Sequence, residues 1–195
     1  FDVGEMEGIK AGFGHFLNAP EMFDNGWFKI GASEASAMDP HQRLLLEVGY
    51  SALEQSGFNR QKLMGTDVGV FLGFSHIGDW GVVQASQTAS AASVYAGHGG
   101  GAAAAAGRVS YVLGLKGPCL TLDTACSASL VAMDLAHQDV RRNRCPSAVA
   151  AGVNLQLEGG NWQVLSRLNT FAPDGCCKTF DESANGFGRA EACVA

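Results

Sequence analysis

An α/β fold is predicted from three features of the sequence. Apolar runs of strand length, bounded by turn-forming residues, recur along the chain. Segments with helical periodicity separate them, and one opens on a full start signal, Asp39-Pro40-His41-Gln42. Between Cys119 and Leu155, a strand, a helix and another strand follow one another. Their spacing suits a parallel pair joined by a right-handed crossover.

In chain order, residues 1–36 show little periodicity. Phe13, Phe16, Phe23, Trp27 and Phe28 are irregularly spaced, which predicts a loop layer pinned by large anchors. Asp39 then suits a helix cap, Pro40 the first helical position, and Gln42 lies three residues after the cap. The helix from His41 to Ser56 is expected to bury Leu45, Val48 and Ala52, with Leu44 and Leu53 nearby, and to end at Gly57. Residues 67–73 read as a buried strand, and 74–98 as loops with a short helix. Residues 99–111 are Ala-rich and read as helical after their opening glycines. Residues 119–125 form a second predicted strand. It runs without a linker into a helix from Ser127 to Gln138, on which Leu130, Met133 and His137 share a face. Residues 146–155 are a third strand. Residues 156–190 read mostly as loop, broken by Pro173-Asp174-Gly175 and by the stretch 185–189. Residues 193–195 look like the start of a further strand.

Composition narrows the function classes. The chain has 195 residues, room for one domain or part of a larger one. It is 47% hydrophobic and 16% charged, which excludes a disordered chain. A net charge of −6 without a basic tract argues against nucleic-acid binding. The Gly97-to-Gly101 stretch has neither GxGxxG spacing nor a following GK[ST], so it is no phosphate loop. The Gly/Ala run ending before Arg108 falls far short of the ~20 residues of a membrane span. Cys119, Cys126, Cys145, Cys176, Cys177 and Cys193 read as free thiols of a reducing compartment, because the adjacent pair lacks CxxC spacing. A cytoplasmic location is expected, with an organelle left open. The absence of an initiator Met and the strand that stops at Ala195 suggest a domain truncated at both ends.

The most informative segment is Asp123-Thr124-Ala125-Cys126-Ser127-Ala128-Ser129-Leu130. A strand ends and a helix begins at one cysteine, among side chains small enough to leave its sulfur accessible. A thiol there faces unpaired N–H groups and the positive end of the helix dipole, which favour the nucleophilic thiolate. The same N–H groups suit the oxyanion of a thioester adduct. A buried structural cysteine is the competing reading. No base is evident. His137 lies eleven residues along the same helix, about 16 Å away. His98 precedes the Gly-rich run and has the place of a cleft residue. His41 reads as structural or surface-exposed, and His15 and His76 as loop residues. Asp181, Glu182 and Glu191 match no metal or paired-carboxylate spacing and read as solvated.

At Cys126 the chain resembles the N-terminal half of a beta-ketoacyl synthase of the modular polyketide and fatty acid synthase type. Residues 37–47, AMDPHQRLLLE, resemble MDPQQRLLLE. Residues 68–73, VGVFLG, resemble GVFVG, and 106–118, AGRVSYVLGLKGP, resemble AGRISYVLGLRGP. Residues 123–130, DTACSASL, resemble DTACSSSL, and 173–181, PDGCCKTFD, resemble PDGRCKTFD. The resemblance implies a thiolase-like, layered αβαβα fold, of which this chain covers about the N-terminal half. It implies that Cys126 accepts an acyl group from an acyl carrier protein. Malonyl carrier protein is then decarboxylated, and the carbanion attacks the enzyme thioester. It further implies a homodimer through the strand preceding Cys126. No cofactor or metal is bound directly, and phosphopantetheine arrives on the carrier protein. The family's two catalytic histidines and a supporting lysine belong to motifs absent from residues 1–195. Cys176 stands where the family has Arg. Ala190 and Ala192 stand where it has glycines, and these alanines are expected to narrow backbone freedom near the site. Two alternatives follow: a non-elongating ketosynthase that binds or transfers acyl groups, or a non-catalytic scaffold.

Overall fold

The computed structural model describes residues 12–75, 79–87 and 94–195. In chain order the elements are β1 (Gly14–His15), α1 (Asn25–Phe28), α2 (Ala32–Ala37), α3 (Pro40–Gln55), α4 (Arg60–Leu63) and β2 (Gly69–Phe74). There follow α5 (Asp79–Gln87), α6 (Ala96–Gly99), α7 (Ala102–Leu113), β3 (Cys119–Leu122), α8 (Ala128–Arg141) and β4 (Ala148–Asn154). The chain closes with α9 (Gly160–Arg167), β5 (Arg189–Ala190) and β6 (Ala192–Val194).

The central sheet runs β3-β2-β4-β6. β2 pairs in parallel with both β3 and β4, while β6 returns antiparallel along β4. The crossover from β3 to β4 therefore steps over β2. Every residue of β2 is buried, as a strand covered on both faces requires. Val70, Leu72 and Phe74 face α3 and α7 and share a core with Leu45, Leu46, Leu53, Val109 and Leu113. Phe71 faces α8 and packs with Ala132 and Ala136. A fully buried Leu, Val or Phe contributes about 1.5–3 kcal/mol. An ion pair exposed at the surface contributes about 0–1 kcal/mol. The sheet faces, not the surface charges, hold this fold.

The start of α3 forms as its sequence predicts. Asp39 Oδ1 accepts the His41 N–H at 2.9 Å, Pro40 occupies the first turn, and Gly57 beyond the helix has φ +92°. Its buried face differs from the expected one: Leu45, Leu46, Gly49 and Leu53 are buried, and Val48 and Ala52 are half-buried. The helix packs on both the sheet and α7, so its apolar stripe is rotated from the one a single contact would select.

Four other expectations are corrected. The segment predicted as a loop layer holds α1 and α2. Phe23 and Trp27 pack on Phe28, with ring centroids 5.2 and 4.6 Å from it, whereas Phe13 is exposed. β3 stops at Leu122, because Asp123 turns back to accept the Ala125 N–H at 2.8 Å. α8 buries Ala128, Ala132 and Ala136 rather than the face of Leu130, Met133 and His137. In the region read mostly as loop, α9 begins where Glu158 accepts the N–H groups of Gly160 and Asn161, and it buries Trp162. His76 lies outside the described residues.

Candidate active site

Cys126 sits in a single 3₁₀ turn, Ala125–Ser127, that joins β3 to α8. Ala125 has φ +55°, a left-handed conformation that turns the chain sharply out of the strand. That conformation costs a residue with a Cβ about 1–2 kcal/mol. Ser127 precedes α8 and makes no side-chain cap to it. Its hydroxyl instead bonds Thr124 O and Thr124 Oγ1, both at 2.9 Å. The first N–H groups of a 14-residue helix are thus left without a side-chain acceptor from Ser127, beside an exposed thiol.

Two glycines bring this helix so close to the sheet. A Cβ on Gly73 would stand 2.4 Å from Ser129 N and 2.5 Å from Ala128 C. A Cβ on Gly152 would stand 2.6 Å from Ser129 Cβ. Both lie near the C-terminal ends of their strands, on the face where Ala128 is buried. Glycines in two neighbouring strands and alanines on the facing helix are one packing solution.

A cleft of about 500 Å³ opens in front of Cys126. Its walls include Ser75, Asn154, Leu155, Phe187 and Arg189. Among the described histidines only His41 lines it. His41 is buried and engaged at both ring nitrogens. Nδ1 lies 2.6 Å from Asp39 Oδ1, and Nε2 accepts the Leu155 N–H at 3.0 Å. It is therefore a buried strut between α3 and the end of β4, and the structural half of its sequence reading holds. His98 is exposed, and its carbonyl accepts from Gln42 Nε2 at 3.3 Å. His15 and His137 are exposed. Glu191 is no solvated carboxylate: it accepts the N–H groups of Leu17 and Gln156, both at 2.9 Å, and ties the first residues described to the end of β4.

The far wall is a pair of loops. Cys177 Sγ accepts the Gly188 N–H at 3.2 Å, and Lys178 Nζ bridges Asp174 Oδ2 and Asn185 Oδ1, both at 2.8 Å. Lys178 and the Cys176 N–H hold the exposed Asp174 carboxyl below its ordinary value. A Cβ on Gly188 would meet Gly175 O at 1.9 Å, so the loops touch through bare backbone. Ala190 and Ala192 lie in β5 and β6 at negative φ. A Cβ fits that backbone without left-handed strain.

Two of the other thiols, Cys145 and Cys193, are less accessible than Cys126. Burial raises Cys145, and burial with the nearby Glu47 charge pushes Cys193 up to about 12. All six cysteines are free. Among the described residues no group of three or more His, Cys, Asp or Glu is placed to hold a metal. No described helix is long and apolar enough to cross a membrane.

Residues 5–195 match the family described as beta-ketoacyl synthase, N-terminal domain. The chain belongs to that family. Its α/β architecture is that of the thiolase-like ketosynthase N-terminal domain. It is 42% identical over 189 residues to polyketide synthase GfsA of Streptomyces halstedii, covering 96% of this chain and 2% of that protein. It is 41% identical over 190 residues to erythronolide synthase EryA3 of Saccharopolyspora erythraea, covering 97% of this chain and 6% of that protein. The ketosynthase from module 6 of the bacillaene synthase of Bacillus subtilis 168 has a similar structure, with TM-score 0.79 and 35% identity. The match covers 94% of this chain and 30% of that one. The chain thus spans a small part of the synthases it resembles.

Proposed function

We propose that this domain carries the acyl-accepting nucleophile of a beta-ketoacyl synthase, and that the nucleophile is Cys126. The sulfur attacks the acyl carbonyl of a carrier-protein thioester. The new C–S bond forms as the phosphopantetheine sulfur leaves with a proton. Malonyl carrier protein then loses carbon dioxide, its carbanion attacks the carbonyl of the Cys126 thioester in a Claisen condensation, and the C–S bond breaks to release the Cys126 thiolate as the new C–C bond forms. The observation that supports this reading is the exposed thiol on the Ala125 elbow, at the start of α8 and facing the cleft. Helix N–H groups at that turn suit the oxyanion formed during transfer.

A homodimer through β3 fits the sheet. β3 lies at the edge of the sheet, and its Leu120 side chain is 42% exposed. A second copy's β3 would continue the sheet across a two-fold axis. The outer face of α8, with Leu130 68% and Met133 59% exposed, has the character of a surface against which a second α/β half packs.

The test is acyl transfer from a short acyl-pantetheine thioester to the protein that carries this chain, read by mass spectrometry of the Cys126 peptide. One acyl adduct is expected, and none in Cys126→Ala. A folded protein that takes no acyl group at Cys126 would reject the nucleophile and leave the scaffold reading.

A further inference from the structure

Cys176 and Cys177 are adjacent, and both are exposed. Neighbouring Cα atoms across a trans peptide stand about 3.8 Å apart. An unstrained disulfide needs about 4.4–6.8 Å. Direct S–S bonding of the pair is therefore disfavoured, whereas one soft atom between the sulfurs widens the ring and relieves it. No third His, Cys, Asp or Glu completes a metal site among the described residues. The bridging atom must therefore bring its own third substituent. Thiolate pairs select soft centres.

The surroundings leave both sulfurs available. Cys176 Sγ has only a weak contact to Asp174 O, at 3.6 Å. Cys177 Sγ accepts one N–H, from Gly188. Gly188 lies between Phe187 and Arg189, both in the cleft wall.

We propose that Cys176 and Cys177 form a chelating dithiol that captures a monosubstituted trivalent arsenical. In the step R–As=O meets the two thiols. Two As–S bonds form, the arsenic–oxygen bond breaks, and the oxygen leaves as water with both thiol protons. Arsenic stays trivalent and nothing is oxidised. The second As–S bond closes within one loop at a high effective concentration, so the bridge outlasts attack by monothiols. Cys177 gives up its Gly188 contact on capture. The site is independent of Cys126 chemistry.

The experiment treats the protein carrying this chain with phenylarsine oxide, washes it with excess 2-mercaptoethanol and maps by mass spectrometry the peptides of a protease that cleaves only after lysine. The peptide spanning 117–178 is expected to carry one phenylarsenic bridge at Cys176 and Cys177 in the native protein and in Cys126→Ala. The bridge is expected to be lost in Cys176→Arg, Cys177→Ser and after a dithiol wash. Cys176→Arg places at an exposed position the residue that the family pattern has there, and circular dichroism verifies the fold of both variants. A washed native protein without the adduct would overturn the proposal, as would an adduct that survives in Cys176→Arg or disappears in Cys126→Ala.

Discussion

The helix starts of α3 and α8 are built in opposite ways. At α3 the side chains of the first turn are all engaged: Asp39 caps the His41 N–H, and His41 spans from Asp39 to the Leu155 N–H. Gln42 Nε2 donates to Gly101 O at 3.1 Å, and Arg43 reaches Met38 O at 2.7 Å. All of Asp39, His41 and Gln42 are buried. At α8 the capping position bonds backwards to Thr124, the preceding Ala125 has φ +55°, and the surroundings are small and open. One helix start is finished as structure, while the other is held in place from outside by Gly73 and Gly152. The difference teaches where chemistry belongs in this domain. A terminus whose N–H groups are capped by its own side chains has nothing left for a substrate, and an uncapped one does.

The largest test removes the outside support. Gly73→Val is expected to push α8 off the sheet, destabilise the fold by about 1–3 kcal/mol and abolish acyl loading of Cys126. Denaturant unfolding and the loading assay read the two effects. Normal loading would show that the elbow does not depend on this contact. Asp39→Ala strikes the other start. It removes the cap, about 0.5–2 kcal/mol, and leaves His41 Nδ1 buried without that acceptor. Stability should fall, while Cys126 remains loadable at a temperature where the protein is folded.

Ser127→Asp would make the second start resemble the first. A carboxylate there caps α8 and is expected to stabilise by up to about 1 kcal/mol. Its charge beside the sulfur should slow acyl loading. A rise in both melting temperature and loading rate would break the contrast. The mildest test is alkylation by iodoacetamide. At pH 8, Cys126, Cys176 and Cys177 should react before Cys145 and Cys193. Because the Cys193 thiol is raised to about 12 in the fold, its contribution to stability is present below the ordinary thiol value and lost as pH rises toward that figure. Thermal melts should weaken in alkali, and less so in Cys193→Ala.

Much of this contrast was legible in the residues. Asp39-Pro40 announced a capped helix, and the small residues around Cys126 announced an elbow. Gly73 and Gly152 were missed as site residues. Each closes or interrupts an apolar strand pattern, and a glycine in a strand signals close approach without naming the partner. α8 was assigned the wrong buried face because its larger residues lie on one side, while the sheet it meets has glycines that accept alanines. α9 was missed because its start depends on Glu158 ahead of two glycines, a weak local signal.

The sequence by itself determined the α/β class, the order of the principal strands and helices, the capped start of α3, and the elbow that presents the proposed nucleophile. Those follow from local periodicity and from short motifs. Tertiary structure alone decided that β2 lies between β3 and β4, that His41 is a buried strut rather than a surface residue, and that Phe187 and Arg189 wall the cleft of a thiol far earlier in the chain. These depend on which surfaces meet across the sheet. Such meetings are set by the shapes of two distant segments at once, and neither segment carries the other's shape.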